Sequence, residues 1–258
     1  MHVVVCVKQI PDPAEPGKLV AVNTLDRSGK LILDESDSYG VEMALQLVDK
    51  AGGGEVTLVS MAPNKETGGL RTALAMGAAK AILVSDDALS GAGALDTAKV
   101  LAAAIKTAEP DLVLAATESS DGYTGTVPEQ IAALLGFPSI TFAKEVHIDG
   151  TNVAVQRQTE TGYDEVTCSL PALVSVTAGV VEPRYPSFKG IMAAKSKPVE
   201  ELTLADLGID ASSVGSAGAG QEIVAVEDAP VREAGEIIED DGEAFGKIVS
   251  FLDGLKVI

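Results

Sequence analysis

The sequence predicts an α/β fold: a mostly parallel sheet with helices on both faces, followed by an extended C-terminal arm. Three observations carry that prediction. Apolar runs of strand length alternate with amphipathic stretches through roughly the first 140 residues. The strand runs are apolar on both faces, as in strands covered by helices on either side. Beyond about residue 178 the regular pattern fades.

The elements follow in order. HVVVCVK (2–8) is a continuous apolar run and opens the sheet. Val41, Ala44, Leu45 and Val48 recur at helical spacing, which predicts a helix over 38–50. EVTLVSM (55–61) is the next strand, and Leu70, Ala73, Leu74 and Gly77 mark one face of a second helix. KAILVS (80–85) is a third strand, followed by a helix marked by Ala98, Leu101, Ile105 and Ala108. DLVLAAT (111–117) is a fourth strand, and Ile131, Leu134 and Leu135 mark the helix after it.

After Pro138 the pattern changes. Val146 and Ile148, then Asp149-Gly150, then Val153 and Val155 read as a hairpin with an Asp-Gly turn. YDEVTCS (163–169) and ALVSVT (172–177) are further strands, so the sheet gains an antiparallel or mixed edge. Residues 179–198 hold Arg184, Lys189, Lys195 and Lys197 against one acid, Glu182. Residues 207–235 are rich in Gly, Ala and Ser, and DDGEAFGKIVSFLDGL (240–255) reads as a closing amphipathic helix. The expected division is a nucleotide-binding α/β domain over 1–190 and an arm over 191–258. Apolar residues such as Ile223, Val224 and Val226 punctuate the arm, which reads as lying on another subunit.

Composition excludes several functions. The formal net charge is −19, which repels nucleic acid and anionic membranes. No apolar run is long enough to span a bilayer. The opening MHVVVCVKQ has no basic segment before an apolar one, so the expected location is cytoplasmic. Cys6 and Cys168 form no CxxC and read as buried thiols. His2 and His147 neighbour nothing that suggests a triad or a zinc site, and HExxH, GxSxG and GxxxxGK[ST] are absent. Gly91-Ala-Gly93 lacks the third glycine of a dinucleotide fingerprint and reads as a turn. These residues assign no catalytic reaction and no metal.

The best candidate site is ESSDGYTGTVPEQIA (118–132), between the fourth strand and its helix. Ligands of open α/β sheets sit beyond the carboxyl ends of the strands, and a helix N-terminus there favours an anion. Gly122 and Gly125 let backbone amides approach a phosphate, and Ser119, Ser120, Thr124 and Thr126 add hydroxyls. Pro128 suits a first helical turn, and Asp121 can accept from a sugar hydroxyl or cap the loop. An ordinary βα turn has much the same composition, so these residues leave both readings open.

Longer blocks carry more. CVKQIPD (6–12), RTALAMGA (71–78), RQTETGYDEV (157–166), LPALVSV (170–176), EPRYPSFKGIMAAKSKP (182–198) and ADLGI (205–209) together resemble the β subunit of electron transfer flavoproteins. The match runs from residue 1 to about 210 in order. The resemblance implies a flavodoxin-like (adenine nucleotide α-hydrolase-like) fold and an αβ heterodimer with one FAD, held mainly by the α subunit, and one AMP, held by β. It implies a carrier without covalent chemistry of its own. Electrons would pass from flavin dehydrogenases of the acyl-CoA type to a membrane quinone oxidoreductase or another acceptor.

The resemblance also places the AMP contacts. They fall on Cys6, on Asp34, Glu35, Ser36 and Asp37, on Met61, and on the loop from Ala116 through Thr117, Glu118, Ser119, Ser120, Asp121, Gly122, Tyr123, Thr124, Gly125 and Thr126 to Val127. Two stretches depart from the family pattern. Asp34-Glu35-Ser36 replaces Asn-Pro-aromatic, and Ala116-Thr117-Glu118 replaces Gly-Lys/Arg-Gln, so the loop supplies no cation. Relatives that bifurcate electrons hold a second FAD in place of AMP and show Asp-Gly-Asp-Thr before a glutamine-bearing run. Tyr123 and Thr126-Val127-Pro128 here argue for AMP. A recognition loop for the dehydrogenase falls on Arg184, Tyr185, Phe188, Lys189, Ile191 and Met192, with Phe188 as apolar anchor.

Two rivals predict other features. An ATP-using enzyme of the same architecture predicts an SGGxDS-like motif near the first strand, where this chain has Cys6-Val-Lys-Gln-Ile-Pro. A stand-alone nucleotide-sensing module predicts no long arm, which residues 179–258 oppose.

Overall fold

Strand β1 (His2–Cys6) is the centre of the core. Side-chain alternation sends Val3 and Val5 to one face and Val4 and Cys6 to the other. The computed structural model describes residues 1–231, 234–240 and 242–258. After β1 come β2 (Gln9–Pro11), the two-residue strands β3 (Leu19–Val20) and β4 (Thr24–Leu25), and β5 (Leu31–Leu33). The βα alternation follows: α1 (Glu35–Lys50), β6 (Glu55–Met61), α2 (Gly68–Met76), β7 (Lys80–Val84), α3 (Ala94–Ala108), β8 (Leu112–Ala116) and α4 (Val127–Leu135). Then come β9 (Ser139–Asp149), β10 (Asn152–Gln158), β11 (Tyr163–Ser169), β12 (Ala172–Val176), α5 (Phe188–Ala194), β13 (Val199–Leu202), the four-residue α6 (Gly215–Gly218) and α7 (Ala244–Gly254).

The main sheet has the order β11-β10-β9-β12-β8-β1-β6-β7-β13. From β9 to β13 the neighbours are parallel; β9, β10 and β11 form an antiparallel meander at one edge. Val41, Ala44, Leu45 and Val48 of α1 pack with Leu70, Ala73 and Leu74 of α2 against Val3 and Val5. Ala98, Leu101 and Ile105 of α3 and Ile131 of α4 pack against Val4 and Cys6 on the other face. The helical and strand periods in the sequence therefore meet in two apolar layers.

Chain order places a switch point in this sheet. From β1 the chain steps outward through β6 and β7, then returns to lay β8 on the other side of β1. The crevice at the carboxyl ends of β1 and β8 is where such sheets bind ligands.

The structure departs from the sequence reading in three places. β1 stops at Cys6: Val7 still donates to the Val59 carbonyl, but the Lys8 amide turns to the Asp37 carboxylate. α1 begins at Glu35, three residues before the expected 38, because Asp34 caps it. Residues 191–223 are anchored rather than trailing: α5 packs on α2, and β13 extends the sheet beside β7. The chain forms two compact units, Met1–Ile223 and Val224–Ile258. In the second unit, α7 exposes Phe245, Ile248, Val249 and Phe251, and Leu255 is exposed just past its end. Among the described residues no helix is long and apolar enough to cross a membrane.

Candidate functional site

The crevice at the switch point is built from the end of β1, the start of α1 and the loop between β8 and α4. Asp34 is fully buried and joins two of these. Its Oδ1 accepts from the Ser36 amide at 3.1 Å, as a helix N-cap does. Its Oδ2 accepts from the Ser120 amide at 2.8 Å, and Oδ1 also accepts from Ser120 Oγ at 3.0 Å. The added acid thus fastens the 118–126 loop to α1 instead of confronting a ligand with bare charge.

Asp37 is buried in the first turn of α1 and accepts from the Lys8 amide at 2.6 Å. Burial pushes its carboxyl well above the ordinary carboxylate range, against that hydrogen bond, and the neighbouring Asp34 adds to the rise. Cys6 lies beside it at the end of β1; burial, then the Asp37 charge, push its thiol up to about 12. A thiol so raised stays protonated and is no nucleophile.

The loop itself is tightly wound. Tyr123 has φ +48° and Gly125 φ +65°. A Cβ on Gly125 would stand 3.4 Å from Glu118 Oε2, in a backbone conformation that suits glycine. Tyr123 donates its amide to the Ser119 carbonyl at 2.9 Å. Thr126 caps α4 by position but makes no side-chain cap bond, and Pro128 sits in the first turn. Among the described residues the amides of Thr124, Gly125 and Thr126 have no acceptor. Glu129 Oε2 and Gln130 Oε1, in the first turn of α4, are also buried without a partner.

Lys8 and Arg27 bring positive charge to the crevice. Lys8 Nζ lies 2.6 Å from Asp121 Oδ1, and the Arg27 guanidinium is paired with Asp121 Oδ2. Burial alone would raise the Asp121 carboxyl; the two cations and their hydrogen bonds outweigh it and hold it below the ordinary range. Sequence reasoning missed both cations. The expectation that the loop has none of its own is correct, but other segments supply them. Lys8 stands in CVKQIPD, so its place just after a core strand was a usable signal; Arg27 gave none, since its partner is 94 residues away.

The remaining residues fall unevenly. Ala116 is buried at the end of β8, and Met61 is half-buried at the end of β6. Thr117 directs both its amide and Oγ1 to the Val176 carbonyl, so its polar groups serve the sheet. Glu35 and Glu118 are exposed. Val127 is the first residue of α4.

Comparison with known proteins gives the chain a family. The electron transfer flavoprotein domain matches residues 22–207. The electron transfer flavoprotein subunit β of Mycobacterium bovis is 41% identical over 264 residues, covering 100% of this chain and 99% of that one. The chain belongs to the electron transfer flavoprotein family. The subunit β of Mycobacterium leprae is 40% identical, with the same coverage. A subunit of the caffeyl-CoA reductase–Etf complex of Acetobacterium woodii is 34% identical over the full length of both chains.

A second feature of this electron transfer flavoprotein chain lies around α5, away from the crevice. Tyr185 and Phe188 are 94% and 92% exposed, and Met192 and Ile191 flank them on the surface. Phe188 does not sit in a loop, as the resemblance implied. It opens α5, which Ser187 caps by accepting from the Gly190 amide at 3.0 Å. Gly190 lets α5 approach α2: a Cβ there would stand 2.4 Å from the Ala75 carbonyl oxygen. Arg71 donates to the carbonyls of Ala194 and Lys197, and Lys197 Nζ donates to those of Leu74 and Ala78 at 2.8 and 2.6 Å. Arg184 is exposed as well, with its guanidinium bound to Glu42 of α1. Lys189 is exposed.

Proposed function

We propose that this chain is the β subunit of a heterodimeric electron transfer flavoprotein that holds one AMP as a structural ligand in the β1–β8 crevice. The observation that carries the nucleotide reading is the unsatisfied start of α4. Three successive amides without acceptors, and a helix N-terminus without a side-chain cap, suit a phosphate at the positive end of a helix dipole. Ser119, the Thr124–Thr126 amides and the α4 terminus would hold the phosphate; Cys6, Met61 and Ala116 would wall the base. Covalent chemistry is no part of this reading: burial pushes the Cys6 thiol up to about 12, and the buried Asp37 carboxylate accepts from the Lys8 amide.

The flavin chemistry belongs to one FAD, held mainly by an α subunit. In this reading FAD takes electrons from dehydrogenases of the acyl-CoA type and passes them to a quinone oxidoreductase or another acceptor. The Acetobacterium woodii relative is named as a subunit of a caffeyl-CoA reductase–Etf complex, which supports a redox partner that acts on a CoA compound. The exposed apolar residues of α5 are the docking surface for the dehydrogenase, with Phe188 as its anchor. The segment from Val224 onward, with Val224, Val226, Val231 and Ile237 exposed, covers the α subunit. The location in this reading is the cytoplasm.

The test is co-expression with the cognate α subunit, followed by acid release and chromatography of the bound nucleotides. One FAD and one AMP per yellow heterodimer is the expected result. Two FAD and no AMP overturns the AMP assignment in favour of a bifurcating form; a colourless β chain that recruits no flavoprotein partner overturns the subunit assignment.

A further inference from the structure

The Asp121 carboxylate is held by more positive charge than it needs. Its side chain is only 7% exposed and pairs with both Lys8 and Arg27. A buried carboxylate needs a partner, but one cation neutralises it. Two cations against this one carboxylate leave these three groups together at a formal charge of about +1, beside the buried Asp34 and Asp37 at the start of α1.

The two cations are held by other groups as well. Lys8 Nζ also donates to Ser119 Oγ at 3.1 Å. Arg27 Nη1 donates to the Gln9 carbonyl at 3.2 Å, and the Arg27 carbonyl accepts from Asn64 Nδ2 at 3.4 Å. Lys8 follows the central strand and is fixed there through its amide bond to Asp37. Arg27 comes from the excursion between β4 and β5 and crosses to the loop from outside the sheet. Lys8 Nζ lies 3.8 Å from where a Cβ on Gly122 would stand, and the acceptorless amides of Thr124–Thr126 follow along the same loop.

We propose that Lys8 and Arg27 are the cations that bind the nucleotide's phosphate, and that Asp121 occupies them in its place until the nucleotide arrives. This deepens the reading above and rests on it. Binding exchanges one anion for another. A phosphate monoester carries between one and two negative charges near neutral pH, against one for a carboxylate, and it offers three acceptor oxygens. It therefore matches two cations better than Asp121 does. The exchange also makes Arg27 a strap: the excursion that carries it is fastened to the ligand.

The experiment measures AMP and adenosine binding to the co-expressed αβ heterodimer, freed of its own nucleotide, by equilibrium dialysis. Adenosine lacks the phosphate and reports the rest of the site. Arg27→Gln and Lys8→Gln should each weaken AMP by about tenfold or more, the worth of one charge-assisted hydrogen bond, while adenosine binding stays level. Asp121→Asn, which keeps the shape and removes the competing charge, should tighten AMP. Equal losses of AMP and adenosine in the cation variants, or weaker AMP binding in Asp121→Asn, overturn the clamp. Loss of AMP preference only in the cation variants supports it. A wild-type heterodimer that binds neither compound overturns the nucleotide reading and the clamp together; one that binds AMP while both cation variants keep full preference overturns the clamp alone.

Discussion

Arg184 grips Glu42 at two points, with Nε 2.6 Å from Oε2 and Nη2 3.1 Å from Oε1, and its own amide reaches Oε2 at 3.3 Å. The pair ties the segment entering α5 to the middle of α1, 142 residues earlier in the chain. Asp49 adds a weaker contact at 3.7 Å.

Arg184→Ala should therefore destabilise the chain by about 2 kcal/mol, since the nearly buried Glu42 carboxylate loses its charged partner. Thermal unfolding at pH 7 measures this. Burial raises the Glu42 pKa, but the Arg184 hydrogen bonds win and the folded value lies below the ordinary 4.5. A depressed carboxylate pKa adds stability that is present above the unfolded pKa and lost as pH falls through the folded one. The difference in Tm between wild type and Glu42→Gln should thus be widest near neutrality and shrink below about pH 4.5. A difference that does not change between pH 7 and pH 3.5 contradicts the pair's role.

Phe188→Ala should leave Tm, flavin and nucleotide content unchanged, because the ring is solvent-exposed. Electron transfer from the dehydrogenase should show a KM raised by about 30-fold, the loss expected from a buried apolar anchor worth about 2 kcal/mol. Steady-state assays over a range of carrier concentration separate this from a change in kcat. An unchanged KM removes Phe188 from the docking surface.

Gly190→Ala attacks the platform instead of the anchor. Its Cβ would press on the Ala75 carbonyl, and the helix must lift or α2 must shift, at about 1–3 kcal/mol. Both Tm and dehydrogenase KM should suffer, unlike in Phe188→Ala. Lys197→Met should act the same way, since it removes the ammonium that holds the carbonyls of Leu74 and Ala78.

Cys6 should resist iodoacetamide at pH 8 in the native protein and react only on unfolding, because its thiol is raised to about 12. Cys168, half-buried on β11 and less enclosed, should react first. Mass spectrometry of peptides after a time course decides the order; prompt labelling of Cys6 means the crevice is open to solvent.

What the sequence revealed depended on distance along the chain. Strands such as LVLAA announce themselves as continuous apolar runs, and helices such as that of Ala98, Leu101 and Ile105 by the period that burial of one face imposes. β13 reads VEEL, too short and too acidic for a strand signal, and its place beside β7 comes from pairing across the sheet. α5 has seven residues with Gly190 in their midst, so propensity argues against it; Ser187 and packing on α2 make it. The place of the 118–126 loop, between a strand and a helix start, was legible from its glycines, hydroxyls and proline. Its electrostatics were not, since Asp121 meets Lys8 and Arg27 across 113 and 94 residues. Nor was the role of Asp34, which accepts twice from Ser120, 86 residues further on.

The composition of the two outermost strands has a consequence for how these molecules behave in a crowd. β13 carries Glu200 and Glu201, both exposed, and β11 at the opposite border carries Asp164 and Glu165, also exposed. An unpaired border strand is a template on which a second copy can add its own strand, and like charges brought face to face oppose that addition. The net charge of −19 works in the same direction at longer range. Like charge at both borders of the sheet opposes self-addition, so that crowding favours separate molecules over filaments of the chain itself.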